Sequence, residues 1–205
     1  MLTDGSIYEF TNAVISSLAK LGADQYIFYG NINTDFQELI NKYIPAQEQT
    51  LIPGEPTPIT DYSAARNKMD LFARNDYVLH LDTDEVLIDF TPVKANVMFD
   101  RINYIYSYNR ALCGEDWQLR YYNKNFFEWR GEVHERCVSN LRIPVIKSQV
   151  YIYHFSFMKP IPAQKKLHNF RHKLQNKPQN WEFGYNHITR PVPNIKQKLM
   201  DLGVW

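Results

Sequence analysis

Apolar positions recur at helical spacing from Ile7 through Phe10, Val14 and Leu18 to Leu21. Ser6 and Glu9 have the spacing of a capping box at the start of that stripe, and Gly22 can close it. "QYIFYG" (Gln25–Gly30) predicts a strand. Asp35 and Glu38 stand where they could cap a second helix, with Phe36, Leu39, Ile40 and Tyr43 on its buried face. The proline-rich stretch "PAQEQTLIPGEPTPIT" predicts a long loop. Ala65, Met69 and Phe72 form a third helical stripe between Ser63 and Arg74. Tyr77–Leu81 predicts a buried strand, and Thr91-Pro92 opens a further helix with proline at its favoured first position.

Helix, strand, helix, helix, strand, helix over the first hundred residues predicts an α/β layered domain with a largely parallel sheet. Shorter strand-like runs follow at Ile102–Tyr108, Trp117–Tyr122 and Gln149–Phe155. From Pro160 the chain reads as helical and basic, then irregular, with no internal repeat.

Composition permits a sizeable core, at 205 residues with 44% hydrophobic and 15% aromatic content. No apolar run approaches the ~20 residues that span a bilayer. The opening "MLTDGSIYEF" lacks the basic region and apolar stretch of a signal peptide, so the expectation is a cytoplasmic protein, at most peripheral to a membrane. Cys113 and Cys137 have no metal-type spacing and read as free thiols. The net charge of +1 hides a division. Residues 1–158 hold 14 Lys/Arg against 20 Asp/Glu, about −6, and residues 159–205 hold 9 against 2, about +7. Two units are expected, a domain at 1–158 and a basic extension at 159–205.

The candidate chemistry lies in "DYVLHLDTDEVLIDF", where a buried strand runs into Asp82, Asp84 and Glu85. Ligands of open α/β sheets bind beyond the carboxyl ends of the strands. In an extended segment Asp82 and Asp84, two apart, point the same way. Convergent carboxylates repel unless something positive lies between them, and a divalent cation shared with substrate phosphates meets that need. Loss of one carboxylate, as in Asp84→Ala, should then leave the unliganded fold as stable or more so.

"SAARNKMDLFARNDYVLHLDTDEVL" resembles the core of glycosyltransferase family 2, in which an Arg-Asn helix precedes a strand ending in D-x-D-E. "DWQLRYYN" is similar to the family's R-L-F-R-type strand, "FFEWRGEVHE" to its G-x-V-H-E segment, and "VYIYHF" to the strand ending in histidine that follows. The order of these pieces, from about Tyr62 to Phe155, resembles that of the lipopolysaccharide core-type subgroup. The resemblance implies a GT-A, Rossmann-like nucleotide-sugar-binding sheet with flanking helices, shortened at the N-terminus because the usual first strand is missing. It also implies a Mn²⁺ or Mg²⁺ cofactor, a nucleotide-sugar donor with a UDP-sugar foremost, transfer of a hexosyl or pentosyl group, and inversion.

Within that frame Asp84 binds the metal, and Asp82 holds the ribose or the metal. The resemblance adds His154 as a third metal contact, against a buried structural histidine. Arg66 suits a diphosphate, against a surface arginine paired with Asp70 at i,i+4. Arg120 faces donor or acceptor, against a plain salt bridge. His134 is assigned to the donor. Glu135 is the first choice of general base and Asp116 the second.

The basic extension carries Phe170, Trp181, Phe183 and Tyr185 among its cations, which suits a polyanionic acceptor: a phosphorylated glycan or glycolipid, modified DNA, or an anionic membrane surface. A helix with a solvated basic face is the alternative. Nucleotidyl transfer shares the need for paired carboxylates and metal. A catalytically decayed nucleotide-sugar-binding module is the third function class.

Overall fold

A computed structural model describes residues 1–8, 10–54, 59–105, 110–112, 116–132, 135–155 and 159, with isolated positions at 163, 189–191, 197 and 200. Backbone alone is described for 103–105, 110–112 and 189–191. Glu9, Cys113, His134 and nearly all of the basic extension, including its aromatics, lie outside the described residues.

Strand β1 (Leu2–Thr3) leads to helix α1 (Thr11–Ala19), strand β2 (Tyr26–Gly30), helix α2 (Thr34–Tyr43), strand β3 (Gln49–Pro53) and helix α3 (Tyr62–Phe72). β1, β2 and β3 run parallel, with β2 in the middle. A two-residue strand therefore precedes α1. Gly30 makes that pairing possible: its φ is +132°, and a Cβ there would fall 1.9 Å from the Thr3 carbonyl oxygen.

The second half is mixed rather than parallel. β4 (Tyr77–Leu79) is antiparallel to β8 (Trp117–Asn123), which is antiparallel to β6 (Asn96–Ile105). β6 also pairs antiparallel with β7 (Arg110–Leu112). It runs parallel to β11 (Val145–Lys147) and β12 (Ile152–His154), and β12 is antiparallel to β5 (Glu85–Leu87). β9 (Glu128–Arg130) and β10 (Arg136–Val138) make a separate antiparallel pair, and β13 (Thr189–Pro191) pairs with β7. A parallel bridge between Leu2 and Asp82 joins the two halves, so Asp82 lies at their seam.

Several elements depart from the expected ones. α1 begins at Thr11 rather than at Ser6, and the Thr11 hydroxyl accepts from the Tyr8 N–H. Ile7 is accordingly 48% exposed, while Phe10 and Val14 are buried. The cap of α2 is Asn33, whose side chain accepts from the Phe36 N–H, not Asp35. The proline-rich loop contains β3, since Pro53 stands at the strand's last position and leaves Thr50–Ile52 free to pair. No helix follows Thr91-Pro92. Phe90 packs edge-on against Phe99 and Tyr121, and the chain passes straight into β6.

The main core gathers Phe10 and Val14 of α1, Phe36 and Ile40 of α2, Phe28, Val86, Phe99 and Ile152. Leu2, Tyr29, Ile52, Ala65 and Met69 form a second cluster, which α3 closes. Leu119, Tyr122, Phe127 and Trp129 form a third beside the β9–β10 pair. Arg66, Glu85 and Arg120 are buried among these apolar groups. Among the described residues, no helix is long and apolar enough to cross a membrane.

Candidate active site at the seam of the sheet

The acid cluster is a turn. The Glu85 N–H donates to the Asp82 carbonyl at 2.9 Å, and the Asp82 N–H donates to Glu85 Oε2 at 3.0 Å. A closed turn does not alternate as an extended segment does, so the carboxylates of Asp82 and Asp84 meet different partners.

Asp82 faces arginines. Arg66 Nη2, from α3, lies 2.8 Å from Asp82 Oδ1, and Arg120 Nη2, from β8, lies 3.7 Å from Oδ2. Arg66 Nε donates to Glu135 Oε1 at 2.8 Å. Arg120 also pairs with Glu85 Oε1 at 2.7 Å, and Arg101 of β6 stands 3.7 Å from the same oxygen and 2.7 Å from Asp116 Oδ2. An alternating series results: Asp116, Arg101, Glu85, Arg120, Asp82, Arg66, Glu135. The two candidate bases stand at its opposite ends.

Burial makes this series consequential. Arg66 is 1% exposed, Arg120 3% and Glu85 0%. Burial disfavours the charge on Arg66, but Asp82 and Glu135 outweigh it and hold the guanidinium above its ordinary pKa. Burial likewise opposes the charge on Asp82, and Arg66 and Arg120 reverse the balance, holding its carboxyl well below the usual range. Trp129 underlies both cations, with the Arg66 guanidinium 4.7 Å from its ring centroid and that of Arg120 at 6.0 Å. The Nη1 atoms of both arginines are buried without a hydrogen-bond partner among the described residues.

Asp84 faces elsewhere. Its Oδ2 lies 2.7 Å from Lys159 Nζ and 3.5 Å from His154 Nε2. Burial alone would raise its pKa, but Lys159 and His154 pull it well below the ordinary value. The stability expectation for this residue therefore changes sign. Asp84→Ala removes the carboxylate that pairs with the buried Lys159 ammonium, and the unliganded protein should lose about 1–3 kcal/mol in a urea melt. Adding Lys159→Met to that variant should restore most of the loss, and an Asp84→Ala protein as stable as the wild type would restore the earlier expectation.

Arg66 does not pair with Asp70. That acid takes His80 Nε2 on Oδ1 and the Tyr122 hydroxyl on Oδ2, both at 2.7 Å, and Trp129 Nε1 donates to the same hydroxyl. Burial pushes the His80 pKa from 6.5 down to about 4, against the pull of Asp70. The unfolded chain takes up this proton near pH 6.5 and the folded chain only near 4. Stability should thus be complete above 6.5 and fall by about 3 kcal/mol on acidification to 4. Asp82 and Asp84, held low, keep their contributions until the pH is far lower. Denaturant melts of wild type and His80→Gln across this range should show the extra loss in the wild type alone; parallel curves would refute it.

Two cavities, of about 250 and 180 Å³, flank Asp89 beyond the far end of β5, and no predicted site residue lines either. Among the described residues, no group of three His, Cys, Asp or Glu side chains is arranged to hold a metal.

No protein-family model and no curated protein matches this chain. The site therefore rests on its own geometry. That geometry brings Arg66, Asp82, Arg120 and Glu135 into one ion-paired series, joins Asp84 to His154, and sets Asp116 at the remote end. Sequence reasoning missed Glu85, Arg101 and Lys159 as partners. Arg101 left a trace, because the alternation Val97, Phe99, Arg101 puts a cation at the end of a buried strand face. Lys159 left none beyond being the first cation of the basic extension.

Proposed function

We propose that the chain is a metal-dependent glycosyltransferase with a GT-A-type sheet, moving a sugar with inversion from a nucleotide-sugar, a UDP-sugar first among them, to a hydroxyl acceptor. The observation that carries this reading is the turn Asp82–Glu85 at the seam of the sheet, with His154 Nε2 beside the Asp84 carboxylate, which also holds the Lys159 ammonium. A carboxylate that holds an ammonium, with an imidazole nitrogen 3.5 Å from the same oxygen, suits a divalent cation whose remaining ligands come from water and substrate phosphates. When bound, Mn²⁺ or Mg²⁺ would offset the charge that builds on the departing diphosphate.

The chain's own groups divide the remaining work. Asp82, braced by Arg66 and Arg120, is positioned to accept hydrogen bonds from the donor's ribose. Glu135 takes the proton of the acceptor hydroxyl on its carboxylate, and Arg66 fixes that carboxylate's direction. Asp116, at the far end of the series, is the weaker choice of base. The acceptor is proposed to be a polyanion that meets the basic extension.

One observation favours a second reading. Asp82, Asp84 and Glu85 each have a cationic partner from the chain itself, so their charge is compensated without a metal, which suits a nucleotide-sugar-binding module without catalysis. Incubating the protein with UDP-sugars, with and without Mn²⁺, separates the readings. Metal-dependent release of nucleoside diphosphate supports the transferase, release of sugar 1-phosphate means nucleotidyl transfer, and a raised melting temperature without turnover means binding alone.

A further inference from the structure

The Asp84 carboxylate already has a cation. Lys159 Nζ lies 2.7 Å from Asp84 Oδ2, and His154 Nε2 lies 3.5 Å from the same oxygen. This lysine is not a surface residue: its side chain is 13% exposed, and its ammonium stands 5.7 Å from the centroid of the Tyr8 ring. Asp4 adds a further attraction. A divalent ion bound by Asp84 and His154 needs the oxygen that the ammonium holds. A dication and an ammonium at such a separation repel strongly where water is largely excluded.

We propose that Lys159 is a built-in competitor for the metal: the cation enters between Asp84 and His154 only as the Lys159 ammonium leaves. This inference rests on the metal-dependent reading above and adds a control to it. Lysine suits the role because its charge is a compact point on a flexible stem, able to withdraw, where an arginine fork would stay. Binding that requires a competing state to give way is weakened by the population of that state. Donor binding eases the exchange, because a diphosphate offers the displaced ammonium a new anionic partner. Metal and nucleotide-sugar should consequently bind with positive cooperativity.

The test uses Mn²⁺ alone, titrated against the full chain and followed by the EPR signal of the free ion. Lys159→Met keeps the aliphatic stem and removes the charge. It should bind Mn²⁺ at least tenfold more tightly than the wild type, and Lys159→Met with Asp84→Asn should lose that gain. Mn²⁺ should also raise the melting temperature of Lys159→Met more than that of the wild type. If Lys159→Met does not fold, Lys159→Gln, which can still donate to Asp84, takes its place with the same expectation. Equal Mn²⁺ affinity in wild type and variant overturns the competition and leaves the metal reading standing. Mn²⁺ binding by neither overturns both, and Lys159 is then the permanent cation of the site.

Discussion

Replacing Arg66 with methionine is expected to lower the unfolding free energy by about 3–5 kcal/mol, the range for breaking a buried ion pair from one side. Arg66 bridges α3 to both the Asp82 turn and Glu135, with each contact at 2.8 Å. Without it Glu135 loses its guanidinium partner, and Asp82 is left with the more distant Arg120, at 3.7 Å. The Trp129 face is uncovered as well. Methionine fills much of the volume, so the loss reports charge rather than a cavity. Arg66→Lys should recover little, because a single ammonium cannot reproduce two directed contacts with two acids. Adding Glu135→Gln to Arg66→Met should return part of the loss by neutralising one stranded carboxylate. Urea melts of the four proteins give the comparison. A cost below about 1 kcal/mol for Arg66→Met, the scale of an exposed pair, would mean that the buried series does not hold the fold together.

Glu135→Gln is expected to keep donor binding and to lose about 10²–10⁴-fold in transfer rate, the usual contribution of a general base. The structure makes this substitution a mild one. Glutamine retains an oxygen that can accept from Arg66 Nε, so the contact at 2.8 Å can persist while basicity is removed. Melting temperature and donor affinity should stay near the wild-type values, which separates a chemical role from a structural one. The competing assignment is Asp116, bound to Arg101 and Gln118. Should Asp116→Asn abolish transfer while Glu135→Gln remains active, the two roles are exchanged.

Both predictions depend on an arrangement only partly legible along the chain. Arg66 and Arg120 could each be picked out as candidates, because Arg66 lies in the helix before the acidic strand, where a guanidinium suits a diphosphate, and Arg120 lies in the strand-like run Trp117–Tyr122. Their partners could not. Arg66 has Asp70 at ideal helical spacing and still turns to Asp82 and Glu135, 16 and 69 residues away. Asp70 is claimed by His80 and Tyr122, a choice made by the packing of Trp129 and not by local spacing.

Sequence by itself determined the α/β class, helices near α1, α2 and α3, the strands β2, β4 and β8, and the collection of acids after β4, which is half-buried rather than buried as expected. These follow from apolar periodicity and local stop signals, which act over a few residues. Tertiary structure alone decided that β1 exists, because two residues form a strand only when β2 is there to pair with. It turned the Thr91-Pro92 segment away from a helix by anchoring Phe90 in the core. It also decided what compensates the acids. Asp82 and Glu85 are neutralised from α3 and β8, and Asp84 by a lysine 75 positions along the chain. Charge pairing in a buried site is fixed by which elements meet in space, and a one-dimensional pattern carries no distance between them.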